Sequence, residues 1–196
     1  MKKKKLILVA SPPACGKTYV SEELARRLGN AVYLDKDDLS DLVRAAFAIG
    51  GEELNMDGEF YVKNIRPAEY STVIGIALSV LRFSQTVILT GPFTKEVRST
   101  EYIRSLKMKA AELDAEFILI WVHAPLEVCR ERMIKRASDR DLLKLKDFDS
   151  YAKNINYVPP YELEREAAVD QLFVFETGNS IQTEESFAKA LKIING

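Results

Sequence analysis

Short apolar runs alternate with longer amphipathic stretches along the chain. The runs predict buried strands at residues 6–10, 31–34, 86–89, 117–122 and 171–175. Between them apolar residues recur with helical spacing, and this spacing predicts helices at residues 17–28, 39–49, 67–83, 99–113, 125–137 and around 187–194. Strands that are apolar throughout, separated by helices, predict an α/β fold with a parallel sheet covered on both faces.

The breaks between these elements are short. Gly29 and the pair Gly50-Gly51 stop two of the helices, and the acidic stretch at residues 52–59 predicts an irregular loop. The chain shows no internal repeat, low-complexity segment or linker, and its 196 residues suit one domain over residues 1–196.

A phosphate-binding loop follows the first predicted strand. Its sequence, SPPACGKT, runs from Ser11 to Thr18 and leads into a helix, whose N-terminal amides and dipole favour an anion. Lys17 can reach the β- and γ-phosphates, and the Thr18 hydroxyl can bind Mg²⁺. The predicted nucleotide-binding residues here are Pro13, Ala14, Cys15, Gly16, Lys17, Thr18 and Tyr19. The alternative, an incidental turn with a surface lysine, does not account for the strand-loop-helix order.

Acidic residues follow the second predicted strand. In a parallel sheet the ligand site lies outside the carboxyl ends of the strands, so these residues should face the phosphate loop. We expect Asp37 to orient an acceptor hydroxyl and take its proton, and Asp35 to contribute to a Mg²⁺ site with Thr18. Asp35 stays open as the base in place of Asp37, while Asp38 is expected chiefly to cap the following helix.

A basic helix around residues 130–136 carries the second set of candidates. Arg132 and Arg136 share a helix face, and Arg140 can join them if residues 130–146 form a closing lid. Arginines gathered on one face favour a phosphate ligand, which predicts that all three contact the nucleotide and that Arg136 also assists transfer. The alternative is a solvated helix face paired with nearby acids, among them Glu131 and Asp141.

Other candidates depend on weaker signals. Arg66 and Tyr70, within a region at residues 50–70, are expected to contact the acceptor, although a proline at a helix start also explains Arg66-Pro67. His123, the single histidine, is expected to pack under the loop rather than bind metal. The segment at residues 176–179 follows the fifth strand and could contact a nucleobase.

Composition narrows the class of protein. The net charge of −1 does not call for nucleic acid or an anionic membrane as a partner, and no apolar run approaches the roughly 20 residues of a membrane span. Lysines at positions 2–5 precede an apolar run of only five residues, too short for a secretory signal. Cys15 and Cys129 suit a reducing cytosol, so a cytoplasmic location without disulfides is expected. The sequence does not indicate an oligomeric state.

With these motifs in place, the chain resembles the P-loop kinases of small molecules. It looks most like the AAA-family kinases related to zeta toxin and chloramphenicol phosphotransferase, through SPPACGKT, LDKDDL, VILTGPF and HAPLEVCRERMIKR leading into ASDRD. The resemblance implies a three-layer α/β/α P-loop NTPase fold with a five-stranded, nucleoside-kinase-like sheet in the order 2-3-1-4-5 and an Arg-rich lid. It also implies ATP with Mg²⁺ and transfer of the γ-phosphoryl to a hydroxyl of a small molecule. In this family the acid matching Asp37 acts on the acceptor, and lid arginines matching Arg132, Arg136 and Arg140 grip phosphates.

The chain departs from the family at two positions. Ser11 replaces the first glycine of the loop, which related kinases tolerate. Thr90 stands where many relatives have an acidic residue at the end of the third strand, so Mg²⁺ would depend on Thr18, phosphate oxygens, water and Asp35.

Other users of the same loop fit less well. The guanine-selecting N-K-x-D of a GTPase does not occur, and no apolar strand ends in the Asp-Glu pair expected of an ATPase motor. A kinase acting on a nucleic-acid end or another macromolecule, and a non-catalytic ATP-binding module, stay open as alternatives.

Overall fold

The computed structural model describes residues 3–196, apart from the side chains of residues 139, 140 and 143. Lys2, the first of the predicted N-terminal lysines, therefore lies outside the described residues. In the described part of the chain, no helix is both long and apolar enough to cross a membrane.

The sheet has five parallel strands in the order β2-β3-β1-β4-β5. The strands are β1 (Lys4–Ala10), β2 (Ala31–Asp35), β3 (Thr86–Gly91), β4 (Ala115–His123) and β5 (Leu172–Glu176). All five predicted strands are present, and each extends one or two residues beyond its predicted limits in at least one direction. Ala10 pairs with Gly91 on one side and Trp121 on the other, so the central strands end at the same edge.

Helices cover both faces of the sheet. They are α1 (Lys17–Leu28), α2 (Ser40–Gly50), α3 (Arg66–Leu81), α4 (Thr100–Ala111), α5 (Leu126–Arg136), α6 (Asp139–Lys146), α7 (Phe148–Asn154), α8 (Glu162–Arg165) and α9 (Ser180–Asn195). The expected fold and strand order are thereby confirmed. Helices α6 to α8 were not predicted, because they have eight, seven and four residues and are too short for a helical period to stand out in the sequence.

The core lies on both sides of β1. Leu6 and Leu8 point to one face, where they join apolar residues of α3 and α4. Ile7 and Val9 point to the opposite face and pack with residues of α1 and α9. This alternation along a strand that is buried on both faces is what holds the three layers together.

A π-helical turn at Tyr61–Ile65 leads directly into α3. The Arg66 amide donates to the Tyr61 carbonyl, five residues back rather than four. Pro67 follows at once; because proline has no amide hydrogen, it suits a place where the regular helix ladder is interrupted. Tyr61 and Ile65 then pack against Val43 and Phe47 of α2 in a small cluster of their own.

We predict that Ile7→Ala lowers the free energy of unfolding by about 2–5 kcal/mol, because Ile7 is fully buried and its removal leaves a cavity. Urea denaturation measures this effect. Ile49→Ala is the matched control, since Ile49 is 89% exposed and should change stability by less than about 0.5 kcal/mol. Equal effects of the two substitutions would contradict the packing described for β1.

Candidate functional site

The loop at residues 11–16 joins β1 to α1 and is shaped for an anion. Ala14 and Gly16 have positive φ angles of 65° and 96°, which turn the backbone sharply before the helix. Gly16 is the N-cap of α1 and brings no side chain to cap it, and the first turn of the helix contains no acidic residue. The amides of this turn and the positive end of the helix dipole are therefore directed at one place.

The loop is supported by Thr177, which follows β5. Its hydroxyl donates to the Cys15 carbonyl at 2.6 Å, and its amide donates to the His123 carbonyl at 2.9 Å. From the other side, the Tyr157 hydroxyl donates to the Pro13 carbonyl at 3.3 Å. These bonds satisfy backbone carbonyls that would otherwise be left without partners in a tight turn.

Arg132 lies against the same loop. Its guanidinium donates to the carbonyls of Ala14 and Cys15 at 3.3 and 3.2 Å, and to the Thr177 carbonyl at 2.5 Å. One Nη atom lies 3.6 Å from the position that a Cβ at Gly16 would take. Arg132 is therefore beside the phosphate cradle, as its predicted role requires, and backbone carbonyls compensate its charge here.

Cys15 packs against Cys129 of α5, with the two Sγ atoms 3.7 Å apart. Both thiols are buried. The hydrogen bond with Cys129, together with burial, raises the pKa of the Cys15 thiol. Cys15 is thus a neutral packing residue that attaches the loop to α5, and only its backbone faces the predicted nucleotide site.

Arg136, at the end of α5, forms a two-pronged ion pair with Asp141 of α6. Its Nε and Nη2 atoms donate to the two carboxylate oxygens, each at 2.8 Å, and Asp141 is fully buried. Carbonyls compensate Arg132 and a carboxylate of the protein compensates Arg136, so the contact of these arginines with a nucleotide stays a prediction. The pairing with Asp141 is the one the alternative interpretation named. The Arg140 side chain lies outside the described residues.

The carboxyl end of β2 continues into a 3₁₀ turn at Lys36–Leu39. Asp35 caps this turn by accepting from the Asp37 amide at 2.9 Å, and it also accepts from the Tyr33 hydroxyl at 2.9 Å. Asp38 returns to accept from the Asp35 amide, so its predicted role as the cap of the next helix was wrong. Helix α2 starts one residue after the turn ends, with Leu39 as its N-cap.

Of the two exposed acids in this stretch, Asp38 turns back to the Asp35 amide, and the candidate base is Asp37. Its side chain is 56% exposed, and one of its oxygens lies 3.0 Å from the Lys36 Nζ atom. Because β3 alone separates β2 from β1, the ends of these two strands are about 10 Å apart. Asp37 therefore lies at a suitable distance for a small molecule to fit between it and the phosphate loop.

Sequence reasoning missed Lys36 and its partners. Lys36 is 3% exposed, and its Nζ atom lies 2.7 Å from Glu69 Oε1, while the Tyr61 hydroxyl donates to Glu69 Oε2 at 2.5 Å. A lysine among aspartates is expected to be solvated, so the local sequence hides this buried ion pair. A hint lies in Glu69, which occupies the apolar face of its helix.

Arg66 and Tyr70 are close to this network, at the end of β3. The Arg66 guanidinium lies 4.3 Å from the centroid of the Tyr70 ring and binds both carboxylate oxygens of Glu96, at 2.8 and 2.9 Å. Tyr70 packs edge-on against Phe93, with ring centroids 4.8 Å apart. Its hydroxyl is buried and makes no hydrogen bond to a described residue, and burial raises its pKa.

Gly91 lets these groups approach one another. A Cβ at this position would lie 2.9 Å from the Phe93 ring and 3.2 Å from the Lys36 Cβ atom, closer than side chains tolerate. Next to it, Thr90 is buried and its hydroxyl donates to the Val9 carbonyl at 3.4 Å. The end of β3 is thus filled by packing, with no acidic side chain.

Two cavities flank these groups. One of about 310 Å³ adjoins the phosphate loop and is lined by Tyr19, Arg132, Thr177, Asn179, Ser180, Thr183 and Glu184. It fits the expectation that residues 176–179 contact a nucleobase. The other, of about 750 Å³, lies between the end of α2 and residues 51–64. The length of α2, about 16 Å, separates this cavity from the turn that carries Asp37. The predicted acceptor region therefore divides, and Arg66 and Tyr70 belong to the part nearer to Asp37.

The last two predictions about the site concern His123 and the metal ion. His123 Nδ1 lies 2.8 Å from Glu176 Oε2, which joins the ends of β4 and β5. Among the residues that the structure describes, no group of three or more His, Cys, Asp or Glu side chains could hold a metal ion. The assignment of Mg²⁺ to Thr18 and Asp35 stays a prediction, with Thr18 exposed in the first turn of α1.

Solved structures share this fold over the whole chain. A candidate kinase from Chloroflexus aurantiacus is 20% identical, with a TM-score of 0.65, over 100% of this chain and 98% of its own. The APS kinase of Mycobacterium tuberculosis, bound to AMPPNP and APS, is 15% identical with a TM-score of 0.62 and full coverage of both chains. Shikimate kinase from Acinetobacter baumannii, in complex with shikimate, is 17% identical with a TM-score of 0.53, over 98% and 93% of the two chains. These similarities show a fold that small-molecule kinases share.

The family follows from comparison of the sequence with family models. No curated protein matches the chain. The AAA domain, however, matches residues 6–156, which include the phosphate loop, the Asp35–Asp38 stretch and the basic helix α5. With its nucleotide loop and its kinase-type strand order, this chain belongs to the AAA domain family of P-loop proteins.

Proposed function

We propose that the protein is an ATP-dependent kinase that transfers the γ-phosphoryl group of ATP to a hydroxyl of a small molecule. The observation that carries this proposal is the outward carboxylate of Asp37 at the end of β2, opposite the phosphate loop at the end of β1. A base and a phosphate cradle that face each other across one strand are what in-line transfer needs. The closer relation to zeta toxin and chloramphenicol phosphotransferase stays a prediction.

The nucleotide side of the site would hold ATP by its phosphates. Amides at the start of α1 would bind the β-phosphate, Lys17 would bridge the β- and γ-phosphates, and Thr18 would offer its hydroxyl to Mg²⁺. The oxygen donors of Thr18 and Asp35 suit Mg²⁺, which when bound would offset charge on the phosphates. The adenine would occupy the cavity beside Tyr19 and Asn179.

On the acceptor side, Asp37 would accept the proton of the attacking hydroxyl. The Lys36 ammonium, itself buried against Glu69, lies 3.0 Å from one oxygen of Asp37 and would help to position this carboxylate beside the acceptor. Arg66 and Tyr70 would line the part of the pocket beyond it. A positioned carboxylate of this kind contributes about 10²- to 10⁴-fold to a rate.

The arginines of α5 would act during closure. Arg136 would have to leave Asp141 in order to meet the transferred phosphoryl, so the α5–α6 junction is where we expect the lid at residues 130–146 to move. Arg132 already touches the loop and would add its charge to the phosphates, with Arg140 as a third donor.

We predict that Lys17→Ala abolishes ATP turnover while the fold survives, since the loop backbone stays intact. The measurement is ATP consumption with Mg²⁺ in the presence of pooled hydroxyl-bearing metabolites, with circular dichroism as the check on folding. Lys189→Ala, at an exposed position of α9, is the control and should leave turnover unchanged. Normal turnover by Lys17→Ala would place the active site elsewhere.

Asp37→Asn should reduce phosphoryl transfer by at least about 100-fold and change ATP affinity by no more than a few-fold, because only the proton acceptor is lost. Asp41→Asn, exposed one turn further along, serves as the control. Full activity of Asp37→Asn would show either that Asp35 is the base or that transfer needs no base.

Arg136→Ala should lower the transfer rate more than it lowers ground-state ATP binding, as for a group that meets developing charge. Single-turnover rates and nucleotide titration separate these two effects. Because the substitution also leaves the buried Asp141 without its partner, Asp141→Asn is measured alongside and should keep Arg136 available for transfer. If both variants transfer at the original rate, helix α5 has only a structural role.

The same assay distinguishes the alternatives. ATP binding without turnover in any metabolite pool would favour a non-catalytic nucleotide-binding module. Turnover that needs an added nucleic-acid end would favour a macromolecular acceptor.

A further inference from the structure

The acceptor side of the candidate site contains two buried or half-buried cations. The Lys36 Cβ atom lies 3.2 Å from where a Cβ of Gly91 would stand, so Lys36 adjoins the end of β3. The Arg66 guanidinium lies on the Tyr70 ring, which packs against Phe93 two residues beyond the same strand. Both cations thus lie at the end of β3, between the strand that leads to Asp37 and the strand that leads to the phosphate loop, where they could bind an acidic group on the acceptor.

Arg66, however, is neutralised within the fold. Its Nε and Nη2 atoms bind Glu96 through contacts of 3.1, 2.9 and 2.8 Å, and one flat face of the guanidinium rests on Tyr70. The side chains of Arg66 and Glu96 are only 15% and 14% exposed. Such a paired arginine offers no net charge to an incoming carboxylate or phosphate.

Lys36 is neutralised as well. Its side chain is 4% exposed and lies between Glu69, itself 2% exposed, and Asp37. The carboxylates of Asp35 and Asp38 are within the same turn. Among these residues and the Arg66–Glu96 pair, five carboxylates accompany two cations, so each of the two cations already has an acidic partner.

The remaining polar group is uncharged. The Tyr70 hydroxyl is buried, with the whole residue 3% exposed, and has no hydrogen-bond partner among the described residues. Because this hydroxyl is shielded from solvent beside the Phe93 backbone, it adds no charge to this side of the site. Its position next to Arg66 and Phe93 places it on the acceptor side, away from the phosphate loop.

We propose that the acceptor is an uncharged or cationic hydroxyl compound, such as a sugar, polyol or amino sugar, and that Glu96 sets this preference by occupying Arg66. The inference rests on the proposed kinase function. A hydroxy acid or a sugar phosphate would meet a negative field and could reach Arg66 only by displacing Glu96. Displacement would also leave the Glu96 carboxylate without its partner. Such ligands are therefore disfavoured both by the carboxylates they meet and by the ion pair they break.

The experiment uses the full chain with [γ-³²P]ATP and Mg²⁺, and three acceptor pools of equal concentration: neutral polyols and sugars, amino sugars, and hydroxy acids with sugar phosphates. Asp37→Asn defines the background. Asp37-dependent product should be at least about 10-fold greater with the neutral or amino-sugar pool than with the acidic pool, the scale of one lost charge interaction. Product confined to the acidic pool, or equal in all pools, would overturn the inference.

These outcomes separate the inference from the function on which it rests. Asp37-dependent product from the acidic pool alone leaves the kinase proposal standing and removes only the charge preference. The absence of product in every pool counts against both.

Glu96→Gln tests the specificity role directly. The amide keeps the size of Glu96 but frees the charge of Arg66, so transfer to the acidic pool should rise about 10-fold while transfer to the neutral pool changes by less than about 3-fold. Glu101→Gln, exposed in the first turn of α4, is the matched control. In the double variant Arg66→Gln, Glu96→Gln the gain should disappear, because it depends on Arg66. No rise in Glu96→Gln with an unchanged melting temperature, or a rise that persists in the double variant, would overturn the assignment.

Discussion

The whole arrangement depends on β1, a strand buried on both faces at the centre of a parallel sheet. Its neighbours β3 and β4 run in the same direction, so three backbones end at one edge and the chain must leave β1 there. The turn after β1 therefore starts from a rigid strand. Its one strained residue, Ala14, and the neighbouring Cys15 are held through their carbonyls by Arg132 and Thr177. Strain of this kind persists only where the surrounding structure fixes it.

At the carboxyl end of the sheet, different polar groups lie on the two sides of β1. Towards β4 and β5, hydroxyl and carbonyl groups support the loop and form a small cavity. Towards β3 and β2, charged groups are collected in pairs: Lys36 with Glu69, and Arg66 with Glu96. On the first side the Arg132 guanidinium is bound by backbone carbonyls, whereas on the second side the cations are paired with carboxylates and largely buried. The two sides meet at Gly91, where β3 ends without a side chain.

Much of this could be predicted from the sequence, because the period of apolar residues and the position of SPPACGKT are local signals. The five strands, the helix beginning at Lys17 and the acidic stretch beside the loop all follow from neighbours in the chain. The ion pairs could not be predicted in the same way. Glu69 and Glu96 are 33 and 30 residues from their partners, and although Glu69 lies on the apolar face of its helix, nothing in the local pattern shows which residue either of them pairs with. Asp141 is five residues from Arg136, but a turn at Ala137 brings them together, and the sequence alone does not show that turn.

The π-helical turn before α3 has a geometric consequence for the charged side of the edge. Tyr61 and Glu69 are eight residues apart, and on a regular α-helix their directions would differ by about 80°. The turn at Tyr61–Ile65 takes in one extra residue, so the pair behaves as if separated by seven, and the difference falls to about 20°. Tyr61 can then reach the carboxylate that holds Lys36. One additional residue, absorbed before the regular part of α3 begins, thus brings Tyr61 onto the side of the helix that carries Glu69, the partner of Lys36.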